Sequence, residues 1–320
     1  MGDRLKGRVA VVTGAGRGIG RGIARLLAAE GAKVVVNDLG GSGSGEGADK
    51  SVANAVVEEI KKTGGTALAS YDSVASMAGG ECIIKAALDN FGRIDILVNN
   101  AGILRDRMVF NMAEEEWDIV QAVHLKGHFA CTKPAAILMR QQRWGRIVNF
   151  TSSSGMYGNP GQANYGAAKS GIMGFTRTVA RDLGRYAVTC NAICPAAATR
   201  LTATIPEATA TRRAQAGAQV AGGRGATPEA ELARLREPQA GFNHPDDIAP
   251  MVAYLCTDHA ASINGKCFYV AGGRVSLLSD EVPLRKMWKT AGFWTPEEIA
   301  QIFPQTFGLD LVNPAPPQPA

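Results

Sequence analysis

Short apolar runs rich in β-branched residues alternate along the chain with longer stretches whose apolar positions recur every three to four residues. The runs Arg8–Thr13 (RVAVVT), Lys33–Asn37 (KVVVN), Thr66–Tyr71, Arg93–Asn99 (RIDILVN), Arg146–Thr151 (RIVNFT), Ala187–Ile193 and Lys266–Val270 read as buried strands. Between them, Gly20–Glu30 carries Ile23, Leu26 and Leu27 at helical spacing, and Ala48–Thr63 carries Val52, Val56 and Ile60 on one face. Gly80–Phe91, Glu114–Met139, Asn164–Leu183 and Pro245–Cys256 read as further helices, the second of these as one long element. Strands alternating with helices predict parallel strands joined by right-handed crossovers. The expected fold is a doubly wound α/β sheet of about seven strands with helices on both faces.

Two segments break the rhythm. Residues 201–242, rich in Ala, Thr, Gly and Arg, form an insertion after the sixth strand and read as a substrate loop. Gly273–Ala320 reads as a tail in which Thr295-Pro296-Glu297-Glu298 marks a helix start, with Thr as cap and Pro in the first turn. The division expected is therefore a dinucleotide-binding domain over 1–273 and an extension over 274–320.

Composition narrows the class. The chain has 320 residues, 46% of them hydrophobic, so a large packed core needs no staples. Its 38 glycines exceed the ~7% average and suggest places where backbone must approach a ligand. The net charge of +5 is scattered rather than clustered and suggests no nucleic-acid partner. No apolar stretch reaches the ~18 residues of a membrane span, and the polar start and the Pro-Gln-Pro-Ala end carry no targeting signal, so a cytoplasmic location is expected. Cys82, Cys131, Cys190, Cys194, Cys256 and Cys267 lie mostly in apolar runs, and Cys190 and Cys194 are one residue too far apart for a redox pair. Reduced thiols and no metal are expected.

Candidate chemistry begins directly after the first strand. Thr13-Gly14-Ala15-Gly16-Arg17-Gly18-Ile19-Gly20 opens the first helix: Gly14 allows the tight turn, and Gly18 and Gly20 let backbone approach a pyrophosphate at the helix N-terminus. Asp38 ends the second strand, where a carboxylate accepts hydrogen bonds from ribose hydroxyls and repels a 2′-phosphate, which favours NAD. Arg17 argues for a 2′-phosphate, but it can swing into solvent, whereas a carboxylate facing a phosphate cannot escape the repulsion. Tyr165 and Lys169 fall one turn apart on one helix face, and Ser152 ends the fifth strand thirteen residues before Tyr165. A neighbouring ammonium lowers a tyrosine's ordinary pKa of ~10 toward working pH, which suits Tyr165 to proton transfer.

Thr13–Gly20, Asn99-Asn100-Ala101-Gly102, Ser152 and Tyr165-Gly166-Ala167-Ala168-Lys169 together resemble the short-chain dehydrogenase/reductase family, over roughly residues 5–273. The resemblance implies a sheet order 3-2-1-4-5-6-7, a general acid/base role for Tyr165, support and ribose binding by Lys169, and orientation of the substrate oxygen by Ser152. It implies adenine contacts from Asp72 and Ser73, bracing beside the cofactor by Asn99, Ala101 and Gly102, and a loop over the nicotinamide amide that starts at Pro195 and includes Thr199. It further implies a homodimer or homotetramer through the helices Glu114–Met139 and Asn164–Leu183. Two departures stand out: Ala196 replaces the usual Gly after Pro195, and His124 replaces the usual Asn of the dimer-side helix, either taking over its part in proton transfer or filling its space.

The segments around Asp38, Arg105, His124 and Asn159 are similar to the (3R)-hydroxyacyl-CoA dehydrogenase group, to which the dehydrogenase part of peroxisomal multifunctional enzyme type 2 and stand-alone bacterial relatives belong. That similarity implies oxidation of a (3R)-hydroxyacyl-CoA by NAD. The alternatives are a 17β-hydroxysteroid or other secondary alcohol as substrate, an NADP-dependent 3-oxoacyl carrier-protein reductase, and a non-catalytic NAD-binding sensor. Arg212, Arg213, Arg224, Arg234 and Arg236 either meet CoA phosphates or are simply solvated, and Met108, Val109, Phe110 and Met112 either line an apolar cleft or pack elsewhere.

Overall fold

In the computed structural model, residues 2–197, 244–280, 283, 285–289 and 292–308 are described. The β-branched runs become β1 (Val9–Thr13), β2 (Lys33–Asn37), β3 (Thr66–Ser70), β4 (Ile96–Asn99), β5 (Gly145–Phe150), β6 (Val188–Pro195) and β7 (Cys267–Ala271). They form one sheet in the order β3-β2-β1-β4-β5-β6-β7, all parallel, extended at one edge by β8 (Arg274–Leu277), which pairs antiparallel with β7. This eighth strand lies in the stretch read as the start of the tail. It is short and largely exposed, so its apolar pattern is weak; backbone pairing of Phe268 with Leu277 and Val270 with Val275 holds it in place.

Helices cover both faces, and the strands are therefore apolar at nearly every position. Along β1, Ala10 and Val12 point into a layer with Ile23 and Leu27 of α1 (Gly18–Ala29), Ile60 of α2 (Lys50–Lys62) and Val252 of α8 (Ala249–Leu255). Val9 and Val11 point the other way, toward Ile83 and Ile84 of α3 (Met77–Phe91), Met139 of α5 (Gly127–Gln142) and Leu183 of α7 (Ala163–Leu183). Each such Ile or Leu, fully buried, contributes about 1.5–3 kcal/mol.

The stretch Glu114–Met139 is helical throughout, as expected, but it is not regular. It divides into α4 (Glu114–Gln121), a π-helical turn at Ala122–Lys126, and α5. The wider turn lets His124 reach inward to Ile103, a contact that the apolar spacing alone does not reveal. A short helix α6 (Ser153–Tyr157) also follows β5, capped by the Ser152 hydroxyl.

The described residues fall into two units, the sheet with its helices up to Leu278 and a small one from Ser279 onward. In the second, α9 (Pro296–Ile302) starts at the capping box read from the sequence: Thr295 accepts from the Glu298 amide, and the Glu298 carboxylate accepts from the Thr295 amide.

Candidate active site

The sheet order reverses between β1 and β4, and the loops at the carboxyl ends of those strands diverge there to leave a crevice. The glycine turn lies on one side of it. Gly14 has φ +63°, and a Cβ on it would lie 2.7 Å from the Ala101 Cα; a Cβ on Gly20 would lie 2.1 Å from the Gly14 carbonyl oxygen. Side chains stitch the two strand ends together. Thr13 Oγ1 accepts from the Asn100 and Ala101 amides at 3.0 and 3.1 Å, and Asn100 Nδ2 donates to the Thr13 and Gly14 carbonyls, both at 3.0 Å. Arg17 stands at the N-cap of α1 without a capping side chain, so the first-turn amides of that helix receive no internal acceptor there.

Asp38 is held at the end of β2 by two backbone donors, the Gly16 amide at 2.8 Å and the Gly40 amide at 2.7 Å. Arg17 donates to the Gly41 carbonyl at 3.3 Å, just beyond this carboxylate. Asn37 spans to the next strand end, donating to the Asp72 carbonyl at 2.9 Å, while Ser70 Oγ donates to the Asp72 carboxylate at 3.3 Å. Asp72 and Ser73 are exposed, and Ser73 Oγ accepts from the Ala75 amide. An uncapped helix start, a turn with no room for a Cβ and a fixed carboxylate at the end of the neighbouring strand fit a dinucleotide: phosphate on the amides, ribose hydroxyls on Asp38.

The second half of the site gathers at β5 and α7. Ser152 Oγ accepts from the Ser154 amide at 3.2 Å and donates to Ser154 Oγ at 3.3 Å. Ser154 Oγ in turn accepts from Asn159 Nδ2 and donates to Gln162 Oε1 at 2.8 Å, and Gln162 Nε2 reaches both Asp106 oxygens at 3.0 Å. Tyr165 is placed by its neighbour Asn164, whose Oδ1 accepts the Tyr165 amide at 2.7 Å and whose Nδ2 donates to the Arg105 and Glu116 carbonyls, both at 2.9 Å. Lys169 lies one turn further along α7 and is buried. Its Nζ donates to the Phe150 carbonyl at 2.6 Å and sits 5.5 Å from the Tyr165 ring centre. Burial pushes its pKa down to about 7, opposed in part by the Cys194 thiol.

His124 meets Tyr165 edge-on, ring centres 5.1 Å apart and planes at 88°. Its Nε2 lies 2.8 Å from the Ile103 carbonyl oxygen, and its ring packs on Gly102, where a Cβ would fall 2.5 Å from Cε1. Burial and the nearby Lys169 charge hold its pKa well below the usual histidine range, so the ring is neutral. His124 Nδ1 and Asn99 Oδ1 are buried without a protein hydrogen-bond partner among the described residues.

The structure thus brings the glycine turn, Asp38, Asp72, Asn99, Ala101, Gly102, Ser152, Tyr165, Lys169 and Pro195 to the same edge of the sheet. Ala196, in the place of the usual Gly, donates its amide to the Val270 carbonyl at 2.8 Å. Thr199, the loop 201–242 and its arginines lie outside the described residues. Met108, Val109 and Phe110 surround a single 3₁₀ turn and are exposed. Sequence reasoning missed Asn164, Gln162, Ser154 and Asp106. Each is an ordinary polar residue whose partner is distant in sequence, except that Gln162 and Asn164 stand immediately ahead of Tyr165 at the start of its helix.

A doubly wound sheet with a dinucleotide cradle and a buried lysine beneath a tyrosine at its switch point defines a nicotinamide-dependent oxidoreductase acting on CH–OH groups. The chain belongs to the short-chain dehydrogenases: the family model described as short chain dehydrogenase matches residues 8–213. It is 46% identical over 270 residues to the peroxisomal multifunctional enzyme type 2 of Drosophila melanogaster, an alignment that takes in 84% of this chain and 40% of that protein. The chain therefore spans well under half the length of that relative. It is 39% identical over 307 residues to the hydroxyacyl-CoA dehydrogenase ChsB1 of Mycobacterium tuberculosis, 92% of this chain and 87% of the relative. Among solved structures it is similar to a short chain dehydrogenase from Mycobacterium avium, with TM-score 0.76, 37% identity and 95% of each chain covered. No helix among the described residues is long and apolar enough to cross a membrane.

Proposed function

We propose that this chain oxidises (3R)-hydroxyacyl-CoA esters to 3-ketoacyl-CoA with NAD, with Tyr165 as general base. The observation that carries the chemistry is the Lys169 ammonium 5.5 Å from the Tyr165 ring centre, out of water and anchored on the Phe150 carbonyl. A positive charge there favours the phenolate. The two ionisations are coupled, so Tyr165 loses its proton most easily while Lys169 keeps its own, which its lowered pKa of about 7 places around neutrality.

In the oxidising direction the phenolate oxygen of Tyr165 takes the hydroxyl proton, the carbinol C–H and O–H bonds break, and the carbonyl double bond forms. Nicotinamide, when bound, supplies the hydride acceptor. Ser152 Oγ turns from Ser154 to donate to the substrate oxygen. The Ser154–Gln162–Asp106 chain fixes the hydroxyl's position before substrate arrives. NAD rather than NADP is supported by Asp38: its two amide donors hold the carboxylate in place, where it would repel a 2′-phosphate.

The acyl-CoA class rests on the similarity to one relative named for that substrate, the hydroxyacyl-CoA dehydrogenase of Mycobacterium tuberculosis. A homodimer or homotetramer is supported by Trp117 on α4 and Phe129 and Ile137 on α5, large apolar side chains left in solvent.

Initial rates of NADH or NADPH formation test the reading, with a (3R)-hydroxyacyl-CoA, its (3S) epimer and a 17β-hydroxysteroid offered with NAD and with NADP. Fast turnover of the (3R) ester with NAD is expected. Turnover of the steroid alone discards the CoA assignment, and a preference for NADP discards the role given to Asp38.

A further inference from the structure

His128 is a buried histidine outside the constellation described above. It follows His124 by one helical turn, beyond the π-helical turn, and its two ring nitrogens meet two different pieces of backbone. Nδ1 lies 2.6 Å from the His124 carbonyl oxygen. Nε2 lies 3.4 Å from the Phe150 amide nitrogen, with the Asn99 carbonyl also facing the ring. The β4–β5 register ends at the pair Asn99–Asn149, so the imidazole fills the fork where these strands part.

The polarity of these partners sets the proton. A carbonyl only accepts, so Nδ1 carries the hydrogen. The Phe150 amide only donates, so Nε2 offers its lone pair. Burial together with the Lys169 charge holds its pKa at about 3 against the His124 and Asn99 carbonyls, which favour the protonated ring, so the ring is neutral with its hydrogen on Nδ1.

Both tethered groups carry parts of the reaction centre. The His124 residue lays its ring edge on Tyr165, and Phe150 offers the carbonyl that receives Lys169 Nζ at 2.6 Å. Resting on the reading of Tyr165 and Lys169 given above, we propose that His128 is a positioning residue that ties the His124 turn to Phe150 and so sets the separation of the Tyr165 ring from the Lys169 ammonium. It touches neither substrate nor cofactor. It acts by holding the backbone on which both catalytic groups depend, and its neutral ring adds no charge to compete with that of Lys169.

The arrangement makes separable demands on a side chain at 128. An asparagine amide takes the place of Nδ1 and still donates to the His124 carbonyl. A glutamine amide reaches toward Phe150 but loses that bond. A leucine fills most of the volume and makes neither.

The test measures kcat and KM from pH 6 to 10 for His128→Leu, His128→Asn and His128→Gln, with dinucleotide affinity from tryptophan fluorescence and the melting temperature of each. The titratable groups around Lys169 are Tyr165 on its own helix, His124 and His128 from the helix opposite, and Cys194 from β6. The cysteine's pKa, raised to about 12, keeps it silent over this range. We expect His128→Leu to lower kcat by roughly ten- to a hundredfold and to displace its pH profile, since a displacement of order 1 Å at a reacting group costs that much. KM and dinucleotide affinity should stay within about twofold, and His128→Asn and His128→Gln, each keeping only one half of the tether, should also show lowered kcat and a shifted profile. An unchanged kcat profile in a folded His128→Leu, with only the melting temperature lowered, overturns the proposal. So does an equal loss of kcat and dinucleotide affinity, which marks general collapse of the site. If His128→Leu does not fold, the other pair decides: shifted profiles for both Asn and Gln support the tether, and a profile near wild type for either refutes it. Tyr165→Phe run alongside separates the two readings. Turnover retained by that variant removes the basis of both, whereas an inert Tyr165→Phe with an unshifted His128→Leu removes only the role of His128.

Discussion

Lys169 and Tyr165 stand one helical turn apart on α7 with the Lys169 Nζ 5.5 Å from the Tyr165 ring centre, and the lysine is the more deeply buried of the two. That burial lowers the lysine's pKa from its ordinary 10.5 to about 7. Below pH 7 both the folded and the unfolded chain hold the proton, and folding bears the whole cost of burying a charge. Between pH 7 and 10.5 only the unfolded chain holds it, so stability from this group rises with pH, by up to about 1.4 kcal/mol per unit. Melting temperatures of the wild type and Lys169→Met across pH 7–9 check this: the wild type should gain on the variant as pH rises, and a constant difference would contradict it. The same variant should lose roughly 10²–10⁴-fold in kcat, the usual range for disabling an acid/base group.

Tyr165→Phe keeps the ring packed edge-on against His124 and removes only the hydroxyl. Turnover should fall at least about a hundredfold. Dinucleotide affinity and melting temperature should stay close to wild type, because the glycine turn and Asp38 are untouched. Residual activity near wild type would show that another group moves the proton.

Asp38→Ala removes the carboxylate that accepts from Gly16 and Gly40. Affinity for NAD should weaken roughly tenfold or more, about 1.4 kcal/mol for each factor of ten. NADP should gain relative to NAD, since repulsion of the 2′-phosphate is gone and Arg17 remains beside the loop. Dissociation constants for both dinucleotides measure it, and an unchanged ratio would relocate the selector.

His124→Ala empties a buried volume between Tyr165, Gly102 and Ile103. Loss of a large buried side chain at such a site costs roughly 2–4 kcal/mol. Urea unfolding should show that loss together with a fall in kcat. If kcat falls while stability holds, His124 does more than fill space.

All six cysteines are free thiols, and burial pushes Cys131, Cys194 and Cys256 up to about 12, with Cys190 higher still. Thiolates react and thiols do not, so a disulfide reagent should label Cys82 quickly in the native protein and the buried thiols only after unfolding. Fast native labelling of several thiols, counted by mass spectrometry, would mean that these interior sites open readily.

Sequence reading and structure diverge at identifiable places. The strands stand where β-branched runs predict them because a strand buried on both faces must be apolar throughout, and that requirement is local. The glycine turn is legible because Gly14 and Gly20 touch backbone, a demand that only one residue type meets. The widened turn inside the Glu114–Met139 helical stretch is not legible. Its apolar spacing continues through Ala122–Lys126, and only the partner of His124, Ile103, shows why the helix widens there. β8 is equally hidden, since an exposed edge strand needs no apolar face, only an unpaired neighbour.

By itself, then, the sequence determined the seven parallel strands and the main helices between them, the glycine turn, the carboxylate at the end of β2, and the placing of Tyr165 and Lys169 on one helix face. All of these rest on periodicities of two and of about three and a half residues, or on glycine's freedom, and so act over a few positions. Only the tertiary structure decided that Ser152 is steadied through Ser154 and Gln162 by Asp106, that Asn164 anchors the start of the tyrosine helix to Arg105 and Glu116, and that His128 joins the His124 turn to Phe150. Most of these bonds join groups on separate elements, and their geometry exists only once the parallel register of β4, β5 and β6 has brought the strand ends together.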